Sequence, residues 1–340
     1  MATQDNSVPN YTIFTPMKTR ILGSAGIEVS AIGLGCWGMS GSYGPGNRKE
    51  SIETIHEAFK QGINFFDTAD IYGDGHNEML VGAALKNIRH RVVLASKFGF
   101  VGKENGNLSV NGRPEYVKKA CDASLKRLGA DYIDLYYLHR LDKNVPVEDT
   151  IGAMSRLVEQ GKIRFIGLSE VSTETIKKAV KIYPVAALQS EYSLNTRDIE
   201  DKVVPACRKN NIAIVPFSPL GRALLTLSIK KVEDLAENDF RKNIPRFQDE
   251  NLKKNMELLA VIGEIAEQKY ITPAQLALAW LLHRGDDIIP IPGMKRKKYI
   301  TENIQSVFVS LESDEINKLD TIFTNVSGER YSLKSSKFIE

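Results

Sequence analysis

Cysteine is scarce: Cys36, Cys121 and Cys207 are odd in number, widely spaced and without a metal-ligand pattern. That excludes a disulfide framework and fits free thiols in a reducing compartment, so a cytoplasmic location is expected. Long apolar runs are missing too. The most apolar stretch, 273–283, is too short to cross a bilayer and ends in charge, and no membrane association is expected. Met1 to Pro16 is polar, lacks the apolar segment of a secretory signal, and reads as a flexible N-terminal extension, residues 1–16. Neither sign of charge dominates: 45 Lys and Arg against 42 Asp and Glu leave a net +3. The two signs are interleaved, so a nucleic-acid partner is not expected. One basic cluster, Lys295-Arg296-Lys297-Lys298, is local.

What the chain does have is alternation. Short β-branched or aromatic runs at 32–35, 64–67, 92–97, 133–139, 163–169, 187–191, 212–217 and 288–291 are separated by longer stretches, six of which, 49–61, 77–86, 114–128, 147–159, 173–182 and 198–210, have helical periodicity. Such βα units feed a parallel sheet, and eight of them read as an α/β fold closed into a (β/α)8 TIM barrel. Barrels exceed the usual domain size, so the length does not force a split. One domain is expected over 17–325, followed by a C-terminal tail at 326–340. Ile21 to Val29, centred on Ser24-Ala25-Gly26, reads as an N-terminal β-hairpin able to plug the barrel. Arg222 to Asn251 is longer and more charged than a barrel connection needs, which suits a covering loop.

Asp67, Tyr72, Lys97 and His139 stand at or just beyond the ends of strand-like runs. A barrel gathers the C-terminal ends of its strands on one face, where these four can meet. They lie within Asn64-Phe65-Phe66-Asp67-Thr68-Ala69-Asp70-Ile71-Tyr72-Gly73, Ser96-Lys97-Phe98-Gly99 and Tyr137-Leu138-His139-Arg140. Farther on come Gly167-Leu168-Ser169-Glu170, Gln189-Ser190-Glu191-Tyr192 and Pro216-Phe217-Ser218-Pro219-Leu220-Gly221-Arg222. In this order, from about Met17 to about Phe323, the motifs resemble the aldo-keto reductase superfamily. Tyr192-Ser193-Leu194, Thr196-Arg197-Asp198-Ile199-Glu200 and Asp239-Phe240-Arg241 are most similar to its perakine reductase and pyridoxal reductase-like branch.

The resemblance implies an NADPH-dependent oxidoreductase that reduces an aldehyde or ketone to an alcohol by hydride transfer. Its partner is a small-molecule carbonyl substrate, with no obligate protein partner indicated. The catalytic tetrad carries over onto Asp67, Tyr72, Lys97 and His139. Tyr72 is then the general acid; Lys97 lowers its pKa from about 10, Asp67 keeps Lys97 charged, and His139 directs the substrate oxygen.

No Gly-x-Gly-x-x-Gly is expected after the first strand, so a Rossmann site is unsupported. The resemblance instead places NADPH/NADP+ at the barrel mouth, under the long loop as a cofactor cover. Ser169 and Gln189 meet the carboxamide, Phe217 stacks on the ring, and Ser218, Leu220 and Arg222 follow the pyrophosphate. Gly293, Lys295, Arg296, Tyr299, Glu302 and Asn303 hold the adenosine end, with Lys295 and Arg296 on the 2′-phosphate. Trp37, Met39, Tyr43, Phe98, Phe100 and Arg140 are expected to line an aromatic substrate pocket with one cation. No metal is expected. Glu170 stands where many relatives have Asn, and Ala223 where close relatives are richer in Gly. Two other readings compete: a nicotinamide-binding regulatory module like the potassium-channel beta subunits, and an aldolase using Lys97 as a Schiff-base nucleophile.

Overall fold

The computed structural model describes residues 16–104, 107–237, 239–331 and 339–340. The expected extension 1–16, apart from Pro16, and residues 332–338 of the tail lie outside them.

The first strands, β1 (Thr19–Ile21) and β2 (Glu28–Ser30), form the expected antiparallel hairpin. At its turn Gly23 has φ +46°, and a Cβ there would lie 2.2 Å from the Ala186 carbonyl oxygen. The turn therefore presses against the base of the sheet, and Leu22 and Val29 are fully buried in the inner core.

Next come β3 (Leu34–Gly35), β4 (Phe65–Asp67) and β5 (Val93–Phe98). A separate hairpin of β6 (Phe100–Glu104) and β7 (Asn107–Val110) follows, which the sequence reading did not foresee. Then come β8 (Ile133–Leu138), β9 (Ile163–Ser169), β10 (Val185–Glu191) and β11 (Ala213–Phe217). Except for the two hairpins, these strands form one parallel sheet in the order β11-β10-β9-β8-β5-β4-β3. The eighth expected run closes the ring without regular strand pairing. Ile289 and Ile291 donate to Ile214 and Pro216 of β11 at 2.8 and 3.0 Å, while Gly33 and Gly35 donate to Pro290 and Pro292 at 2.9 and 3.2 Å. Pro290 and Pro292 have no N–H to return, which removes donors from the β3 side of the seam.

Side chains alternate between the barrel interior and the helical layer, as a pleated strand requires. Val93 and Ala95 belong to the inner core and Leu94 to the outer one. Continuing that period, Lys97 points inward and Phe98 outward. Gly167 serves the same interior, because a Cβ there would lie 2.3 Å from the Tyr137 ring.

The helices are α1 (Arg48–Lys60), α2 (His76–Leu85), α3 (Pro114–Leu128), α4 (Val147–Glu159), α5 (Thr173–Ile182), α6 (Val203–Lys209), α7 (Asp249–Gln268), α8 (Pro273–Leu282), α9 (Lys298–Gln305) and α10 (Ser313–Ile322). Pro114 opens α3, and the Ser172 hydroxyl caps α5 by accepting from the Thr175 N–H. The long loop is more ordered than its charge suggested. It contains 3-10 turns at Gly221–Thr226, Val232–Asp234, Phe240–Asn243 and Pro245–Phe247, and α7 begins at Asp249. Leu224, Leu225, Leu235, Ile244 and Phe247 are buried and staple it to the core. The start of the tail is also tied down: Ser327 N–H donates to Asn255 at 2.8 Å, and Arg330 pairs with Glu170 at 2.9 Å.

Candidate active site

The C-terminal ends of the strands open into a cleft of about 1170 Å³. At its floor, Lys97 Nζ lies 2.5 Å from Asp67 Oδ1, 2.7 Å from the Thr68 carbonyl oxygen and 3.1 Å from Tyr72 Oη. Asp67 is the last residue of β4 and Lys97 the last but one of β5, both facing inward, and His139 follows β8 in the same phase. Tyr72 arrives from the turn after β4. Thr68 donates its hydroxyl to Asn77 at 2.7 Å, and the Asn77 amide donates to the Cys36 carbonyl and to Ser40, so this turn is pinned to the neighbouring loop. The Tyr72 and His139 rings meet edge-on at 5.9 Å. The four tetrad candidates are thus one contiguous cluster.

Burial governs their charge. It drives the Tyr72 phenol above its ordinary value, with Lys97 and then Arg140 only partly opposing it. The expected lowering by Lys97 is real as a contribution, but desolvation is larger. For Lys97, burial opposes the charge, yet Asp67 and Tyr72 outweigh it and hold the ammonium above its usual range. Burial, then Arg140 and Lys97, holds His139 well below the usual imidazole range, so its ring is neutral at neutral pH.

All twelve residues expected to contact a dinucleotide line this one cleft, from Ser169, Gln189 and Phe217 near the tetrad to Lys295, Arg296, Tyr299, Glu302 and Asn303 at the far end. Several already have protein partners. Gln189 donates to Asp67 Oδ2 at 2.8 Å, Ser169 accepts from Arg140 at 3.1 Å, and Arg222 pairs with Glu191 at 2.8 Å. Lys295 Nζ donates to the carbonyls of Tyr43, Gly44 and Pro45 at 3.1, 3.3 and 3.2 Å. Arg296 is exposed and reaches only to 3.9 Å from Glu50.

Of the expected substrate residues, Trp37, Tyr43 and Arg140 line the cleft. Met39, buried in the outer core, and Phe98 do not. Phe98 is fully buried and stacks on Tyr136 at 5.0 Å, because its position in β5 aims it at the helices. Phe100, in β6 beyond the break that Gly99 makes at φ +125°, does line the cleft, as expected. Contrary to expectation, Gly33, Gly35 and Gly38 do have Gly-x-Gly-x-x-Gly spacing at the first strand. A Cβ at Gly33 or Gly35 would strike Phe65 and Ile291 or the Ile291 carbonyl, so these two glycines serve strand packing in the barrel. The sequence reading also assigned no cleft role to Leu108, Phe240 and Tyr331. Phe240 stands in one of the quoted branch motifs, whereas nothing local marks Tyr331: it reaches the site by a tail contact, its ring 4.8 Å from the Arg222 guanidinium.

Residues 31–323 match the model of the aldo/keto reductase family. The chain belongs to that family. It is 46% identical over 314 residues to the probable aldo-keto reductase 1 of Glycine max, covering 91% of this chain and 90% of that protein. Among solved structures it is similar to the glycerol dehydrogenase of Gluconobacter oxydans, with a TM-score of 0.80 and 30% identity over 89% of this chain and 94% of that one. An aldo/keto reductase of Klebsiella pneumoniae, solved with NADP and acetate, superposes with a TM-score of 0.71 at 27% identity, covering 93% of this chain and 99% of its own. Family membership accounts for the closed barrel and for a polar cluster at the C-terminal end of its strands. Among the described residues no helix is long and apolar enough to cross a membrane.

Proposed function

We propose that the protein reduces an aldehyde or ketone to the alcohol with NADPH, and that Tyr72 is the proton donor. The observation that carries this reading is the Asp67–Lys97–Tyr72 chain, at 2.5 and 3.1 Å, with the His139 ring beside it on the floor of a large cleft. The donor set fits a nicotinamide dinucleotide. Ser169 and Gln189, bonded to Arg140 and Asp67, are amide-binding groups, Phe217 offers a flat face, and Ser218, Leu220, Arg222, Gly293, Lys295, Arg296, Tyr299, Glu302 and Asn303 line the same cleft. The Klebsiella relative was solved with NADP, and a second Klebsiella structure with NADPH.

Bound NADPH supplies a hydride to the carbonyl carbon and is oxidised to NADP+. The protein's own residues handle the oxygen and its proton. Neutral His139 can donate a hydrogen bond to the carbonyl oxygen without adding a further cation to Lys97 and Arg140. Tyr72, kept protonated by burial, breaks its O–H bond and gives the proton to that oxygen. The phenolate left behind sits 3.1 Å from the Lys97 ammonium, which stabilises it until solvent returns a proton. Lys97 is unsuited to Schiff-base chemistry, because Asp67 and Tyr72 favour its protonated form over the free amine.

Tyr72→Phe tests the assignment. General acid catalysis contributes roughly 10²- to 10⁴-fold, so carbonyl-dependent NADPH oxidation should fall by that factor. NADPH affinity, read by fluorescence quenching, should stay within about threefold, well under the tenfold that 1.4 kcal/mol represents. Near-normal turnover would remove Tyr72 from the mechanism. Tight NADPH binding by the wild type with no turnover across a carbonyl panel would favour the regulatory-module reading.

A further inference from the structure

Three cations among the described residues are more than nine-tenths buried: Lys97, Arg140 and Arg222. Lys97 is neutralised by Asp67 and Arg222 by Glu191. Arg140 differs. Its Nη1 donates to the His139 carbonyl at 2.6 Å and to Ser169 Oγ at 3.1 Å, and among the described residues no carboxylate lies within ion-pair distance of it. Its Nη2 and Nε have no partner among those residues either, although the side chain lines the cleft. An isolated buried charge is unfavourable, and an arginine fork without a counter-charge matches the two oxygens of a carboxylate.

We infer that Arg140 is an anion subsite and that the preferred substrates are carbonyl compounds carrying a carboxylate within a few bonds of the reducible carbonyl, on an aromatic or apolar frame. Position supports the short spacing. Arg140 follows His139 directly, and its guanidinium folds back onto the His139 carbonyl, so a carboxylate held there lies beside the oxygen addressed by Tyr72 and His139. The walls supply the frame: the Phe100 ring lies 4.9 Å from His139 and 5.7 Å from the Arg140 guanidinium, with Trp37 and Leu108 also lining the cleft. A neutral aldehyde would leave the guanidinium uncompensated, whereas a carboxylate neutralises it. The carbonyl half of this inference rests on the reductase reading above; the anion half does not.

The experiment compares benzaldehydes bearing an ortho, meta or para carboxylate with the methyl ester of each, using wild type, Arg140→Gln and Arg140→Lys. For at least one isomer the wild type should favour the acid over its ester by tenfold or more in kcat/KM. That ratio should fall to about one in Arg140→Gln and be partly kept in Arg140→Lys, which retains the charge but loses the fork. In parallel, calorimetry should show benzoate binding to the protein with NADP+ at least tenfold more weakly in Arg140→Gln. An acid-to-ester ratio equal in wild type and Arg140→Gln, or unchanged benzoate affinity, overturns the subsite. So does a variant that loses NADPH affinity tenfold while its benzoate affinity is unchanged, since Arg140 would then serve only to hold Ser169 for the dinucleotide. If no aldehyde is turned over but benzoate binding depends on Arg140, the anion site stands and the reductase reading falls.

Discussion

The two ends of the cleft are built differently. Near the tetrad, Asp67, Lys97 and His139 project from the last residues of β4 and β5 or from the residue after β8, each at least 93% buried. At the far end, Lys295 and Arg296 lie between the barrel's closing segment and α9, and the Arg296 side chain is 62% exposed. Strand ends held on both sides by hydrogen bonds fix an inward side chain to within the tolerance that proton transfer demands. A phosphate on a flexible dinucleotide needs no such precision, and an exposed guanidinium can follow it. The near end should therefore couple chemistry to stability, while the far end should affect affinity alone.

Lys97→Met should produce the largest break in this contrast. It leaves Asp67 buried without its cation, which costs about 3–5 kcal/mol of stability by analogy with other severed buried pairs. Turnover should also fall by roughly 10²-fold or more, since Tyr72 loses the charge that accepts its phenolate. Urea midpoints and NADPH oxidation rates would show whether both losses occur together. Adding Asp67→Asn should recover part of the stability but none of the rate, because the two residues interact directly. Activity loss at wild-type stability would mean that the near end is no more integral to the fold than the far one.

At the far end, Arg296→Ala should weaken NADPH about tenfold, roughly 1.4 kcal/mol, and leave NADH and the urea midpoint nearly unchanged. Lys295→Ala should behave otherwise: its ammonium holds the carbonyls of Tyr43, Gly44 and Pro45, so its removal should loosen that loop and weaken both dinucleotides. Titrations with each nucleotide, repeated at high salt, would separate the two cations, because an exposed phosphate contact is screened. An unchanged NADPH-to-NADH ratio in Arg296→Ala would remove it from phosphate recognition.

The smallest effect is in pH dependence. The folded state holds His139 neutral well below its ordinary range, whereas the unfolded chain protonates it near pH 6.5. Above about 6.5 neither state binds the proton and nothing is lost. As pH falls below that value only the unfolded state gains it, so stability should decline toward the depressed folded pKa. Urea midpoints between pH 7.5 and about 5 should fall less steeply in His139→Gln than in wild type, over the window set by the ordinary pKa of about 6.5. Arg296→Ala should keep the wild-type slope. Equal slopes in wild type and His139→Gln would show that other groups dominate the acid side.

The eight-strand alternation, the plugging hairpin, the helix starts at Pro114 and Ser172, and the strand-end positions of Asp67, Lys97 and His139 were legible from the chain alone. The reason is that strand period, turn chemistry and caps act over a few residues, so they survive without knowledge of the partner. Phe98 shows the limit of that reading: it lies next to Lys97, but the pleat sends it to the opposite face, onto Tyr136. Counter-charges lay beyond local reach. Arg222 finds Glu191 across 31 residues, Arg330 finds Glu170 across 160, and Arg140 finds no acid among the described residues. Tyr331 enters the cleft by the same kind of contact. Which charge is neutralised, and which is left for a ligand, depends on what the closed barrel brings within about 4 Å, the ion-pair range, and only the tertiary structure sets that distance.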